Sequence, residues 1–168
     1  MVRFRETSVT DEAAQSLLTE YFGSRELSFP AAQGTYRPSF PSPEQFVPPL
    51  GVFLVVEGVG PDGGAADVGC GGVRRLETAH SSSVHNDPVR FEVKHLWLEP
   101  HTRGLGYGRA LLRELESRAV EFGAGELVLD TNDSLTAAAG LYRSSGFIEI
   151  DPYNDNPNAT TWYAKRLG

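Results

Sequence analysis

The chain has 168 residues, of which 40% are hydrophobic and 22% charged, and its formal net charge is −7. This is the composition of a globular protein long enough to bury a core of its own, so we expect one domain over residues 2–168. The acidic balance argues against nucleic acid or an anionic membrane as a partner, since both would need a clustered basic surface.

The cysteine content and the apolar segments of the sequence indicate the cellular compartment of the protein. Cys70 is the only cysteine, so no disulfide can form within the chain, and its apolar, glycine-rich neighbours predict a buried thiol. The first residues lack the apolar segment of a signal peptide, and no apolar run approaches the about 20 residues of a membrane span. We therefore expect a cytoplasmic protein.

Hydrophobic periodicity predicts a strand and then a helix at the start of the chain. Residues 2–6 alternate, and from Ala14 apolar residues recur at i, i+3, i+4, i+7 and i+8 until Gly23, where we expect the helix to end. Residues 28–51 contain six of the eleven prolines and four aromatic residues. Aromatic residues are unusual in a flexible linker, so this Pro-rich loop is predicted to be ordered, with one short helical turn.

The rest of the chain alternates between strands and helices, with an exposed loop expected over residues 78–89. The predicted strands cover residues 51–59, 68–77, 90–99, 126–131, 147–150 and 160–167. The predicted helices run from a glycine-rich turn to about residue 122 and over 134–146, the second closed by Gly146. The order β-α-β-β-β-α-β-α-β-β predicts an α/β (α+β) fold, a mixed sheet with helices packed on it.

Three glycines, Gly104, Gly106 and Gly108, stand directly before the leucine-rich helix. A strand, a sharp turn and a helix start expose unpaired backbone N–H groups at the positive end of a helix dipole, which is a site for phosphates. Glycine permits positive φ and lets the backbone approach an anion closely, and Arg103 could add a cation. The alternative is a flexible or tightly packed turn with no ligand.

The spacing of these residues excludes two common nucleotide-binding loops. No Lys-Ser or Lys-Thr pair follows, as a Walker A loop would need, and neither Gly104 nor Gly106 begins a Gly-x-Gly-x-x-Gly fingerprint. The pattern that fits is Arg-x-x-Gly-x-Gly, formed by Arg103, Gly106 and Gly108.

Two segments together resemble a known family. Residues 91–123, which contain this pattern, resemble the acetyl-CoA-binding core of the Gcn5-related N-acetyltransferase (GNAT) superfamily, in which the turn holds the pyrophosphate of coenzyme A. Residues 127–147 resemble the family's later strand and helix, with its Leu-Tyr-x-x-x-Gly-Phe motif at Leu141, Tyr142, Gly146 and Phe147. The likeness to small-molecule members extends over nearly the whole chain.

The resemblance implies a mostly antiparallel sheet of about seven strands that splays between strands four and five, about residues 91–98 and 126–130. Acetyl-CoA would lie in the opening, with its pantetheine arm along strand four and its phosphates on the turn. The cofactor-binding residues so implied are Leu96, Trp97, Leu98, Arg103, Gly104, Leu105, Gly106, Tyr107, Gly108, Arg109, Thr131 and Asn132. His80, His85 and His101 lie in predicted loops without ligand-like spacing, so no metal site is expected.

Acetyl transfer needs a base, because an alkylamine with a pKa of about 10 is protonated at neutral pH, and the departing thiolate benefits from a proton. The resemblance implies that Glu92 is the base and Tyr142 the acid near the thioester sulfur. Alternation would place Glu92, Lys94, Leu96 and Leu98 on one face of the strand unless a bulge intervenes. The alternatives are a glutamate paired with Lys94 or an arginine, and a tyrosine packed in the core.

The acceptor site is less well marked in the sequence. His95 could line the pocket or be structural, and Arg25 and Tyr36 lie in the region that often shapes the acceptor site in this family. An arginine there could bind a substrate carboxylate in a bidentate manner or simply be solvated. Tyr153 matches a tail segment that closes over the acceptor in small-molecule members.

We therefore expect an acetyl-CoA-dependent N-acetyltransferase, with acetyl-CoA as co-substrate and no metal. The expected acceptor is a primary amine of a small molecule or an amino-acid-like compound, attacked directly in a ternary complex. A protein or peptide amine is the alternative acceptor, and the oligomeric state, a homodimer included, is left open. The alternatives in other classes are a non-catalytic acyl-CoA-binding module and an unrelated phosphate-binding α/β domain.

Overall fold

The computed structural model describes residues 1–77 and 87–168. Within them, strands and α-helices follow one another in the predicted order. The strands are β1 (Arg3–Glu6), β2 (Gly51–Val59), β3 (Ala65–Arg75), β4 (Arg90–Leu98), β5 (Glu126–Thr131), β6 (Ile148–Ile150) and β7 (Thr161–Arg166). The helices are α1 (Glu12–Ser28), α2 (Tyr107–Glu121) and α3 (Thr136–Ser144). Most of the loop expected over residues 78–89, with His80 and His85, lies outside the described residues.

The strands form one sheet in the order β1-β2-β3-β4-β5-β7-β6. Neighbouring strands are antiparallel except β4 and β5, which run parallel and pair only through residues 90–92 and 126–128. Past Glu92 and Val128 the two strands separate. The predicted fold, a mostly antiparallel sheet that splays between its fourth and fifth strands, is confirmed.

Apolar side chains cover both faces of the sheet. Helices α2 and α3 pack on one face, and α1 and the Pro-rich loop pack on the other. The buried side chains that these elements contribute include Leu111, Leu112, Leu115 and Tyr142 on the first face and Ala14, Leu18, Tyr36 and Phe46 on the second. Burial of one large apolar side chain contributes about 1.5–3 kcal/mol, so packing on both faces holds the strands that border the opening.

Helix α1 does not end at Gly23, and this prediction was wrong. Asp11 caps the start of the helix, where its side chain accepts a hydrogen bond from the Ala13 N–H, and the helix continues from Glu12 to Ser28. A glycine inside a helix costs only about 1 kcal/mol, which packing can offset, whereas Pro30 restricts the residue before it to extended backbone. Phe29 has φ −69° and ψ 128° and so ends the helix. The extra turn carries Arg25 into the interior.

A β-bulge in β4 changes which side chains share a face. Between two paired positions β3 advances from Cys70 to Gly72, while β4 spans Lys94 to Trp97 and so contains one residue more. His95 lies at this extra position, and its backbone has the left-handed conformation, with φ 57°. Leu96 and Leu98 consequently pack with Phe91 and Val93 against the α2 side, and Trp97 packs against the α1 side. The bulge is the exception that the predicted alternation allowed for, so Glu92 and Lys94 do not share a face with Leu96 and Leu98.

The Pro-rich loop has two short 3₁₀ turns, at Ala31–Gln33 and Pro43–Phe46, where one turn was expected. Two of its aromatic side chains, Tyr36 and Phe46, are buried, which explains why the loop is ordered despite its prolines. In the described ranges, no helix is both long and apolar enough to cross a membrane.

Candidate active site

A cavity of about 1160 Å³ lies where β4 and β5 separate. Its lining includes the glycine-rich turn and the start of α2, as well as the last turns of α1 and residues 36–41 of the Pro-rich loop. Strands β4 and β5, helix α3, Arg74 of β3 and the segment before β7 form the other walls. One space therefore joins the region predicted for the cofactor and the region predicted for the acceptor.

The glycine-rich turn has the backbone geometry of an anion site. Gly104 and Gly106 have φ values of 82° and 83°, which side-chain-bearing residues rarely adopt. Gly106 caps α2 in the left-handed conformation and offers no side-chain oxygen to the first helical turn. The amides of Tyr107, Gly108 and Arg109 therefore have no intrahelical acceptor and stand at the positive end of the helix dipole. A Cβ on Gly108 would lie 3.3 Å from Leu141 Cδ2, so close packing also favours glycine there.

The side chains around the turn differ in their contacts. The Arg103 guanidinium carbon lies 5.6 Å from the centre of the Trp97 ring, and Arg109 Nη2 donates to Ser144 Oγ at 3.0 Å. Leu105 is 59% exposed, and its N–H donates to the Thr102 carbonyl at 3.2 Å. All of the predicted turn residues line the cavity except Leu105.

Leu96, Trp97 and Leu98 line the cavity along the part of β4 that β5 leaves unpaired, both strands being fully described. A pantetheine arm carries amide groups that could pair with this free strand edge. Thr131 lines the opposite wall. Asn132 is fully buried instead, and its Nδ2 donates to Gln33 Oε1 at 2.6 Å and to the Asn158 carbonyl at 3.1 Å. The structure thus places Asn132 behind the cavity wall, where it links two loops.

Tyr142 lies on α3 in the cavity wall and is 7% exposed. Its ring packs 6.0 Å from the rings of both Phe147 and Tyr163. Burial, with a smaller effect of the Asp130 carboxylate, raises the pKa of Tyr142 to about 12, while Arg25 opposes the shift. The phenol is therefore protonated at physiological pH and available as a hydrogen-bond donor.

Glu92 is 1% exposed and does not line the cavity. Its Oε1 accepts hydrogen bonds from Arg74 Nε at 3.0 Å and Nη2 at 2.8 Å, and its Oε2 accepts one from the Tyr153 hydroxyl at 2.6 Å. Burial and the neighbouring Glu92 carboxylate raise the pKa of Tyr153. The ion pair between Glu92 and an arginine, which was the alternative interpretation of Glu92, is present. Tyr153, predicted to lie at the acceptor, contacts Glu92 and does not line the cavity.

A family model described as "Acetyltransferase (GNAT) family" matches residues 14–147, most of the chain. The chain belongs to this family. The matched range contains the turn before α2 as well as the Leu-Tyr-x-x-x-Gly-Phe motif on α3, so the resemblance found in the sequence is confirmed.

Three known proteins show how far the likeness extends. An uncharacterized N-acetyltransferase of Schizosaccharomyces pombe is 31% identical over 121 residues, 72% of this chain and 66% of that protein. Another, from Dictyostelium discoideum, is 44% identical over 68 residues, 40% of this chain and 32% of that protein. The chain thus spans less than two thirds of the length of these relatives. A solved GNAT-family acetyltransferase from Staphylococcus aureus has a TM-score of 0.72 at 18% identity, over 100% of both chains, and shows the shared fold.

In this GNAT chain the carboxylate in the cavity wall is Asp130, near the end of β5, which sequence reasoning missed. Its Oδ2 accepts a hydrogen bond from Asn154 Nδ2 at 2.7 Å, and its Oδ1 lies 3.6 Å from Lys94 Nζ. Arg74 and Lys94 also line the cavity and were not among the predicted site residues. The available signal was an aspartate ending an apolar strand, directly before the predicted Thr131.

The predicted acceptor residues Arg25, Tyr36 and His95 all line the cavity. Arg25 is 8% exposed, and its guanidinium carbon lies 5.5 Å from the centre of the Tyr36 ring. The His95 ring packs against the rings of Tyr21 and Phe22 at 5.7 and 5.5 Å. Burial, followed by the nearby cations of β4 and β3, lowers the pKa of His95 to about 3, so its imidazole is neutral at physiological pH.

Two further predictions concern thiol and metal chemistry. Cys70 is buried as predicted, and burial raises the pKa of its thiol, which leaves it unreactive. Within residues 1–77 and 87–168, no cluster of three or more His, Cys, Asp or Glu side chains could hold a metal ion.

Proposed function

We propose that the protein is an acetyl-CoA-dependent N-acetyltransferase that moves the acetyl group to a primary amine by direct attack in a ternary complex. The observation that carries this proposal is the single cavity that contains both the glycine-rich turn and the acceptor-side residues. At about 1160 Å³ it exceeds the range of about 300–1,000 Å³ that is typical for one small ligand. It has room for both substrates at once, which direct transfer requires.

Acetyl-CoA supplies the activated acetyl group as a thioester. We assign its pyrophosphate to the amides of Tyr107, Gly108 and Arg109, with Arg103 as a further cation. Its pantetheine arm would extend along the unpaired edge of β4 at Leu96–Leu98, with Thr131 on the other side. This arrangement would bring the thioester to the part of the cavity that Tyr142 lines.

Tyr142 is proposed to assist departure of the thiolate. Attack by the amine forms a C–N bond and places negative charge on the carbonyl oxygen, which an N–H group of β4 could stabilise. When the intermediate collapses, the C–S bond breaks and the charge moves to sulfur. A buried phenol that stays protonated can donate a hydrogen bond to that sulfur at every pH at which the enzyme works.

Two carboxylates are candidates for removing the proton from the amine. Asp130 lines the cavity and can face the acceptor directly. Glu92 remains the base that the family resemblance predicts, but it would have to act through an intermediary, because it is buried and does not line the cavity. The geometry therefore favours Asp130 as the group that contacts the amine.

The acceptor is proposed to be small rather than a peptide, because two loops meet at the cavity. The Arg37 N–H donates to Asn158 Oδ1 at 3.0 Å, and Asn158 Nδ2 donates to the Arg37 carbonyl at 2.7 Å. Both residues line the cavity, so the Pro-rich loop is tied across it to the segment before β7. A cytoplasmic location and a single domain over residues 2–168 remain predictions, and the oligomeric state stays open.

The test is thiol release from acetyl-CoA across a panel of small amines and peptides, with the acetylated product confirmed by mass spectrometry. We expect turnover that falls about 10- to 100-fold in Tyr142→Phe. Tyr163→Phe is the matched control, because Tyr163 is buried next to Tyr142 but does not line the cavity. Tight acetyl-CoA binding without turnover on any acceptor would favour a non-catalytic module. A protein that acetyl-CoA does not stabilise thermally would contradict the proposal altogether.

A further inference from the structure

Arg25 is a buried cation in the cavity wall that has no acidic partner among the described residues. It is 8% exposed, and its Nη1 is buried without a hydrogen-bond partner among the described residues. No carboxylate in residues 1–77 and 87–168 forms an ion pair with it. Its guanidinium lies over the Tyr36 ring, a contact that offsets only part of the cost of burial.

Two of the other cations in the cavity lining, Arg74 and Lys94, have acidic partners. Arg74 Nη2 lies 2.8 Å from Glu92 Oε1, and Lys94 Nζ lies 3.6 Å from Asp130 Oδ1. These two belong to ion pairs, and Arg37, which also lines the cavity, is exposed to solvent. Arg25 is both buried and without an ion pair among the described residues. A buried, unpaired guanidinium is stabilised when an anion enters beside it, and its planar fork fits a carboxylate through two parallel hydrogen bonds.

Arg25 also lies close enough to the predicted chemistry to hold one end of an acceptor. It lines the same cavity as Tyr142 and Asp130, and its charge acts on the Tyr142 hydroxyl. A compound anchored at Arg25 would therefore have its remaining groups in the space between the Asp130 carboxylate and the thioester. The rings of Tyr21, Phe22 and Phe40 line the cavity around this position and offer apolar surface to the body of such a compound.

We infer that Arg25 binds a carboxylate of the acceptor, so the substrate class is an amine that carries a carboxylate, such as an amino acid with an apolar side chain. This inference rests on the proposed acetyltransferase function and specifies its acceptor. The Arg25 guanidinium takes the carboxylate, the Asp130 side of the cavity takes the amine, and the aromatic rings take the side chain. Acetylation then joins the amine nitrogen to the acetyl carbon, with loss of one proton from nitrogen and of coenzyme A as the thiol.

The test compares matched acceptors within each variant. Each set consists of an apolar amino acid, its carboxamide and the amine that lacks the carboxyl group, assayed for kcat/KM with saturating acetyl-CoA. We expect the wild type to prefer the carboxylate over the carboxamide by about 10- to 100-fold, the usual effect of a charge-assisted hydrogen-bonded pair. In Arg25→Gln the ratio should fall to near one, and in Arg25→Lys it should lie in between. Because each ratio is internal to one variant, partial loss of folded protein does not alter it.

The control variant is Arg113→Gln, which removes an exposed arginine from α2 outside the cavity and should leave the ratio unchanged. If the wild type acetylates amines with and without a carboxylate at equal kcat/KM, the inference is overturned, but the acetyltransferase function is still supported. A carboxylate preference that persists in Arg25→Gln would also overturn it, because another group would then hold the anion. If no amine is acetylated, the amino acid can still be tested as a ligand of the coenzyme A complex. Thermal stabilisation of the wild-type complex by the amino acid, together with loss of this stabilisation in Arg25→Gln, would support the carboxylate site. No thermal stabilisation of the wild-type complex would overturn that site.

Discussion

The hydroxyl of Tyr153 donates a 2.6 Å hydrogen bond to the carboxylate of Glu92, 61 residues away in the chain. Arg74 holds the other oxygen of the same carboxylate, so three elements of the fold meet at one buried charge. This relationship gives Glu92 a structural role whether or not it takes part in catalysis. The two roles are separable by experiment.

Glu92→Gln should lower the free energy of unfolding by about 3 kcal/mol, because it leaves Arg74 without its buried partner. Tyr153→Phe should cost about 1.5–2 kcal/mol, since it removes one hydrogen bond to a charged group but keeps the ion pair. Both values can be measured by urea unfolding. Glu149→Gln, at an exposed position, is the control and should stay within about 0.5 kcal/mol of the wild type. An equally small effect of Glu92→Gln would show that the ion pair does not support the fold.

Asp130→Asn should reduce kcat/KM at neutral pH about 100-fold, because the acceptor amine loses the carboxylate that faces it. The remaining activity should rise with pH towards the amine's own pKa of about 10, since the amine must then deprotonate in solution. The measurement is the pH profile of kcat/KM, with Asp133→Asn, an exposed neighbour, as control. If Glu92→Gln shows this altered profile and Asp130→Asn does not, Glu92 is the base and acts through an intermediary.

Gly106→Ala should raise the KM for acetyl-CoA roughly tenfold and lower stability by about 1 kcal/mol, because φ of 83° is strained for alanine and the free amides would shift. Gly23→Ala makes the same chemical change inside α1, where no atom lies within 4 Å of the added Cβ. It should stabilise the protein by about 0.5–1 kcal/mol and leave KM unchanged. Equal KM values for the two variants would contradict an anion site at the turn.

His95 should make the protein less stable in acid. Burial lowers its pKa in the folded state to about 3, so between the ordinary value of 6.5 and about 3 the unfolded chain binds a proton that the folded chain does not. The free energy of unfolding should therefore fall with decreasing pH by up to about 1.4 kcal/mol per pH unit from this residue. His95→Asn, which tolerates φ of 57°, should flatten that slope in unfolding measured from pH 7 to pH 4. An unchanged slope would mean that His95 titrates normally.

Local patterns in the sequence were sufficient to predict the order of the elements and the position of the glycine-rich turn. Glycines at 104, 106 and 146 have positive φ, and only glycine adopts such angles without strain, so their positions alone predict where α2 begins and α3 ends. The paired motifs on α2 and α3 likewise identified the family. These features depend on residues near one another in the chain, where backbone sterics and helix capping decide the outcome.

Long-range contacts decided the rest of the site. The burial of Arg25 depends on α1 passing Gly23, which follows from packing against the sheet and from Pro30 rather than from helix propensity. The face on which Leu96 and Leu98 lie depends on the bulge at His95. The extra residue of this bulge is defined only by how β4 pairs with β3. Asp130 faces the cavity and Glu92 does not, because Arg74 and Tyr153 enclose the glutamate from other strands and loops. The sequence by itself determined a GNAT chain with a glycine-rich turn before α2. The charges that its cavity offers to an acceptor were decided by the tertiary structure, since they depend on which distant partners neutralise them.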